Sequence, residues 1–302
     1  RRVQRLQMEK EQGLPHPGTY RSNKEDGPEP PSQKDMEVKG AREFSFPKRP
    51  SFVLRSSKLD EREERIFQNA GKILLKVPEK ERFHPDPSFL LTSFKRREIW
   101  GNLNPLVIEI GSGQGEELAF ASSRFKNLDF LALEVFPQGI AHSIRHLKAL
   151  GVENARILQA DAFSFFSTAL PDQSVFEVWT FFPDPWPKTK HHKRRLISPD
   201  FVPLVARALC PGGHWRIATD DSDYALQIHE VMDSSPRFEN IGSVYTTLAL
   251  VHVGKGNRDL QAGAPKGKFL QAERFEDRIL TSFEKKGIEA GREIYDFDYK
   301  KI

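Results

Sequence analysis

The chain has 302 residues, long enough for one large α/β domain and a tail, and its 38% hydrophobic and 29% charged content suits a protein that folds around a buried core in water. Its net charge of +4 only mildly favours an anionic partner, and the single cysteine, Cys210, excludes an intrachain disulfide and a thiolate-rich zinc site. No apolar run approaches the ~20 residues of a membrane span, so no membrane association is expected.

The chain opens on Arg1 rather than Met, which points to a trimmed or partial chain. The N-terminus carries no apolar signal run, so the expected location is the cytoplasm. Residues 1–50 contain only 10 apolar residues, and Gly13 to Lys34 is rich in Pro, Gly, Ser and charge. Such a segment buries too little to offset its ordering entropy, and 1–43 is expected to be a disordered extension ahead of a folded domain over 44–302. Within that domain, 44–100 is expected to form an arm and helices and 101–302 the core. Arg49 to Arg55 alternates basic and apolar residues, as an arm ordering on an anionic partner or as an edge strand. Leu59 to Leu75 reads as a helix capped by Asp60.

Leu106 to Ile110 is a short buried-strand pattern ending at Gly111-Ser112-Gly113-Gln114-Gly115. A helix follows with Leu118, Ala121 and Phe125 on one face. Strand Phe130 to Leu133 ends at Glu134, and the next helix starts at Pro137, aligns Ile140, Ile144 and Leu147, and stops before Gly151. Strand Ala155 to Gln159 leads to Asp161, and strand Val175 to Phe182 leads to Asp184. A helix starting at Pro199 or Pro203 runs to Leu209, with Cys210 a small core residue at its end. Strand Gly213 to Ala218 ends at Thr219-Asp220, and a helix through Tyr224, Ile228 and Val231 follows. Alternating strands and helices imply right-handed crossovers and a mainly parallel, Rossmann-like sheet covered on both faces. Ligands on such sheets bind outside the carboxyl ends of the strands, where Glu109, the glycines, Glu134, Asp161, Asp184 and Asp220 all fall.

The glycines at 111, 113 and 115 do not fit the dinucleotide fingerprint, which needs its third glycine at 116, where the chain has Glu. A pyrophosphate at this helix start would meet Glu116 and Glu117, whereas a ligand with a sulfonium and an ammonium would not be repelled. S-adenosylmethionine is such a ligand. Glu134 follows the last glycine by 134 − 115 = 19 residues, near the roughly 20-residue spacing of a ribose-binding acid. Asp161 is then placed to accept from an adenine amino group. Taken singly, the glycines also suit a tight turn, Glu116 and Glu117 complement the helix dipole, and Glu134 and Asp161 suit caps.

Phe181 to Arg195 is the most informative stretch. Pro183 and Pro185 fix φ on both sides of Asp184, giving one carboxylate a stiff turn. Five Lys or Arg and two His then crowd into the eight residues Lys188 to Arg195, an electrostatic footprint for phosphate. Trp186 either stacks on a base or closes the turn. No His, Asp or Glu set has metal-site spacing.

Glu109-Ile110-Gly111-Ser112-Gly113, the Phe181 to Trp186 segment with its basic tail, Ala218-Thr219-Asp220 and Thr281-Ser282-Phe283-Glu284 together resemble the bacterial tRNA (guanine-N7)-methyltransferase family, on the class I methyltransferase fold. The resemblance covers roughly Ser51 to Tyr299 and implies a late antiparallel strand in the sheet. It implies methyl transfer from S-adenosylmethionine to N7 of a variable-loop guanine in tRNA; no metal is expected, and the sequence leaves the oligomeric state open, a monomer being favoured. Glu109, Gly111, Gly113, Gly115, Glu134, Asp161 and Asp184 would then contact the cofactor, and Asp184 would also be the catalytic carboxylate. Lys188, Asp220, Thr281, Ser282, Phe283 and Glu284 would hold the substrate, with Lys190, His191, His192, Lys193, Arg194 and Arg195 along the RNA. Ser282 stands where the family commonly has Lys, and the preface before Phe44 lies outside the family pattern. Two other readings stay open: a methyltransferase acting on an exocyclic amino group, and an RNA-binding protein that has lost catalysis on the same fold.

Overall fold

Asp60 opens the first helix, Glu61–Gln68 (α1), through a capping box in which its side chain accepts from the Glu63 amide and the Glu63 carboxylate accepts from its own. The helix ends sooner than its sequence suggests. Asn69 closes it, Gly71 turns at φ +62°, and Leu74–Leu75 leave as strand β1. In the computed structural model the described residues are 51–52, 58–77, 83, 89–249 and 266–302. The expected disordered extension over 1–43 and most of the expected arm at Arg49 to Arg55 lie outside them.

A helix not anticipated from the sequence, Ser93–Trp100 (α2), is capped by Thr92 and stopped by Gly101 at φ +79°. The chain then alternates in the expected way: Leu106–Ile110 (β2), Glu116–Arg124 (α3), Asp129–Glu134 (β3), Pro137–Ala149 (α4), Ala155–Gln159 (β4), Ala162–Thr168 (α5) and Val175–Phe181 (β5). The basic run forms a 3-10 helix, Thr189–Arg194. After it come Val202–Ala208 (α6), Leu209–Thr219 (β6) and Ser222–Asp233 (α7). Cys210 sits inside β6 rather than at a helix end, half-buried, with its thiol donating to the Gln173 carbonyl at 3.0 Å. The last part holds Phe238–Asn240 (β7), Val244–Ala249 (β8), Lys266–Gln271 (β9), Ser282–Glu289 (α8) and Tyr295–Lys301 (β10).

One sheet of eight strands runs β1-β4-β3-β2-β5-β6-β10-β7. Pairing is parallel from β1 through β6, and β10 is antiparallel to both β6 and β7, which is the late antiparallel strand. Strands β8 and β9 pair antiparallel as a separate ribbon. From β2 the chain steps outward to β3 and β4, then returns to β5 on the other side. The strand order therefore reverses between β2 and β5, and that is where an open α/β sheet offers its crevice.

Period-two alternation divides the core. Val107, Phe130, Ala132 and Ile157 face Leu118, Ile140, Ile144 and Leu147 of α3 and α4. Ile108, Leu131, Leu133 and Leu158 face Phe165, Phe166, Phe201, Val205 and Ile228 of α5 to α7. Each of the large side chains among these, Ala132 apart, contributes about 1.5–3 kcal/mol of burial, so both faces hold the strand ends in fixed register. Among the described residues no helix is long and apolar enough to cross a membrane.

Candidate functional site

The loop after β2 is shaped by three glycines at positive φ: Gly111 at +74°, Gly113 at +54° and Gly115 at +72°. A Cβ at Gly111 or Gly113 would meet nothing within 4 Å, so these two border open space. Gly115 is different: a Cβ there would lie 2.3 Å from the Ser143 hydroxyl on α4. Gly139, also on α4, lets the helix approach the loop so closely that a Cβ would fall 2.4 Å from the Gly113 carbonyl. Gly139 and Ser143 were not singled out from the sequence, although a glycine inside a helical pattern is a signal for such an approach.

Glu134 ties the loop to the end of β3. One carboxylate oxygen accepts from the Gly113 amide at 2.7 Å, and the other accepts from Val135 and Phe136 at 2.7 and 2.9 Å. Beside it lies Glu109, 4% exposed, with one carboxylate oxygen buried and unpartnered. Burial pushes the Glu109 carboxyl well above its usual range, and the nearby Glu117 and Glu134 charges add to that. Glu134 is raised as well, by burial first; its three amide donors pull the other way, and Asp184 adds repulsion. Glu109 and Glu134 thus bring two buried, mutually repelling carboxyls to the crevice, an environment that disfavours phosphate and favours a bound cation. Asp161 caps α5, its side chain accepting from the Ser164 amide at 2.9 Å.

Asp184 stands exposed in the turn beyond β5. The turn lies between two non-glycine residues in the left-handed region, Phe182 at φ +55° and Trp186 at φ +45°, a conformation that surrounding contacts must impose. Those contacts are visible. Phe182 donates to the Ala218 carbonyl at 2.8 Å, and the Trp186 indole donates to the Ser51 carbonyl at 2.8 Å. Trp186 therefore closes the turn, with the Arg194 guanidinium 4.8 Å above its ring.

Arg195 departs from its expected place along the RNA. It is 2% exposed, donates to the Pro185 carbonyl at 2.7 Å, and reaches Gln227 at 2.8 Å and Asp223 at 2.5 Å on α7. Its guanidinium is spent on holding the Asp184 turn. His192 and Asp223 lie 3.4 Å apart, and His191 packs edge-on against Trp186. Lys188, Lys190 and Lys193 are exposed.

The segment at Thr281 to Glu284 is brought to the glycine loop by α3. Glu116 accepts from the Ser282 amide at 2.7 Å and from its hydroxyl at 2.5 Å, while Glu117 accepts from the Ile279 amide at 2.9 Å. Thr281 caps α8 through the Glu284 amide. Glu284 is buried and bound by Arg274 and Arg278, and Arg278 also binds Asp296 at 2.6 Å. Its carboxylate is thus engaged inside the protein rather than turned to the crevice. Phe283 is half exposed against Phe182, and Asp220 pairs with Arg292 at 2.5 Å. Arg278, Arg292 and the two α3 glutamates escaped the sequence reading as partners, since the contacts of Glu116 and Glu117 span more than 160 residues.

A mainly parallel sheet carrying a glycine loop and strand-end acids without a phosphate cradle defines a Rossmann-like class I methyltransferase. The family model "Putative methyltransferase" matches residues 103–249. A tRNA (guanine-N(7)-)-methyltransferase of Bifidobacterium longum subsp. infantis is 47% identical over 253 residues, covering 83% of this chain and 88% of its own. The protein of that name from Paenarthrobacter aurescens is 37% identical over 278 residues, covering 83% of this chain and 91% of its own. The chain belongs to the tRNA (guanine-N(7)-)-methyltransferase family. A solved antibiotic-related methyltransferase shares 16% identity over 70% of this chain and 93% of its own, with a TM-score of 0.43.

Proposed function

We propose that the protein transfers a methyl group from S-adenosylmethionine to N7 of a variable-loop guanine in tRNA, with Asp184 as the carboxylate at the reacting base. The observation that carries this is the Asp184 turn. A charged side chain is held by two strained residues and a buried arginine, close enough to Glu134 to perturb it. S-adenosylmethionine supplies a methyl group made electrophilic by its sulfonium. Glu109 and Glu134 offer that cation and its ammonium group carboxylates, Gly111 and Gly113 leave room for the ligand, and Asp161 stands at the next strand end.

Guanine N7 carries an exposed lone pair in the neutral base, so no general base has to create the nucleophile. What the chain must do is orient the base and stabilise the positive charge that develops on its ring. A fixed carboxylate does the second, because it needs no reorganisation as the charge appears. Lys188, Lys190 and Lys193 lie exposed beyond it, where the RNA backbone would run, and Phe283 packs against Phe182 at the base of the same turn. The relatives are named for methylation of guanine N7 in tRNA, which supports the reading at that level.

The test is transfer of a labelled methyl group to unmodified tRNA, followed by reduction and aniline cleavage, which cuts at N7-methylguanine. Label and cleavage at one variable-loop guanine is the expected result. Label without cleavage would assign the methyl to another atom, such as an exocyclic amino group. No label would leave an RNA-binding protein without this activity.

A further inference from the structure

Four cations face one another across the interface of α1 and α4. Arg62 and Arg65 project from α1 and Arg145 and Lys148 from α4, and with Ile66 and Asn69 they line a cleft of about 320 Å³. Positions 62, 65, 66 and 69 fall on one helical face, at i, i+3, i+4 and i+7. No acid lines the cleft. Of the acids in the first α1 turn, Asp60 and Glu63 satisfy each other's amides, Glu64 does not line the cleft, and Glu61 makes only a long 4.0 Å pair with Arg65 that solvent weakens, both side chains being largely exposed. Lys148 is bound to the Asn69 carbonyl, which fixes it at one end of the cleft. Like charges gathered in this way repel unless an anion lies between them.

The cleft also has a direction. The Lys58 carbonyl accepts from Gln138 at the start of α4, and the Asn69 carbonyl accepts from Lys148 near its end, so α1 runs alongside α4 in the same sense. The start of α4 lies beside Glu134 and Gly113, at the edge that holds the crevice. At 1.5 Å per residue, Arg145 and Lys148 lie about 12–16 Å further along.

We propose that this α1/α4 cleft is a second RNA site, taking backbone phosphates of the same tRNA on the side of the sheet away from the Lys188 to Arg195 run. The proposal deepens, and rests on, the reading of the protein as a tRNA methyltransferase. It holds the substrate at two places, with the reacting guanine at the carboxyl edge and the cleft about 12–16 Å from that edge along the α1/α4 face.

The experiment compares the full chain with the Arg62→Ala/Arg145→Ala variant. Both residues are exposed, so their truncation leaves the core intact. Affinity for unmodified tRNA is measured as a function of salt, together with S-adenosylmethionine binding and single-turnover methylation at saturating tRNA. The expected result is a salt slope shallower by about one to two units and a tRNA Kd raised about three- to tenfold near 0.15 M salt. Cofactor affinity and the saturated rate should be unchanged. An unchanged slope and Kd, with the wild type methylating tRNA normally, overturns the cleft proposal alone. A changed slope with a wild type that never methylates N7 overturns the activity and keeps the cleft. A wild type that does not bind tRNA overturns both. Flotation with phosphatidylserine vesicles gives the remaining arm: vesicle binding that the variant loses, with tRNA binding untouched, assigns the cleft to lipid and overturns the proposal.

Discussion

Glu117 shows how far one residue's surroundings set its chemistry. It is 3% exposed, and burial pushes its carboxyl up to about 7, against the opposing pull of the Ile279 amide and of Arg278 and Arg274. A carboxyl with a higher pKa in the folded than in the unfolded chain binds more protons folded. Its contribution to stability is complete below the unfolded value near 4.5 and is lost as pH rises towards 7. From that shift the loss is on the order of 3 kcal/mol. Glu117→Gln keeps an acceptor for Ile279 and removes the charge. The difference in urea-unfolding free energy between wild type and variant should therefore tilt towards the variant from pH 4.5 to 8. A pH-independent difference would mean that Glu117 is not desolvated as the structure places it. At this scale the sequence was informative where a residue ends a strand, because Glu134, Asp161 and Asp184 each stand within three residues of the end of an apolar run. It was uninformative about Arg195. A run of cations carries no mark showing which member turns inward, and that choice is made by Asp223 and Gln227, some thirty residues away.

At the scale of elements, α3 does two jobs. Its N-terminus closes the glycine loop, and its first two residues hold the segment Ile279 to Ser282. The glycine loop and the Ile279 to Ser282 segment are thereby joined, so a change in one should be felt by the other. Glu116→Ala should raise the KM for tRNA several-fold while the rate at saturation changes little. Ser282→Ala should do part of the same, and the double variant should cost less than the sum, because both remove one contact. Additive effects in steady-state assays would show that the two residues act separately. The alternation of strands and helices was legible because each strand is a short apolar run bounded by Gly, Pro or an acid. The end of α1 was not: Leu74 and Leu75 continue an apolar pattern in sequence, and only their pairing with Ile157 and Leu158 of β4 makes them a strand. The β8–β9 ribbon also escaped, since neither strand alternates strongly and only Leu248 is buried in β8.

At the scale of the molecule, the sheet gathers five strand ends at one edge, and α7 and α8 lock the two loops that carry exposed groups there. Arg195 fastens the Asp184 turn to α7, and Arg278 and Glu284 anchor α8 beside β10. A site built this way should be preformed, with the Asp184 carboxylate in place before the base arrives. That preorganised charge is the central claim, and single-turnover methyl transfer by Asp184→Asn tests it most directly. The substitution keeps the shape of the side chain and removes its charge. The rate at saturating tRNA and S-adenosylmethionine should fall by roughly 10²–10³, as when one preorganised electrostatic group is removed, while tRNA affinity and thermal stability stay close to wild type. A variant that methylates N7 at a near-normal rate would contradict the account and remove Asp184 from the chemistry.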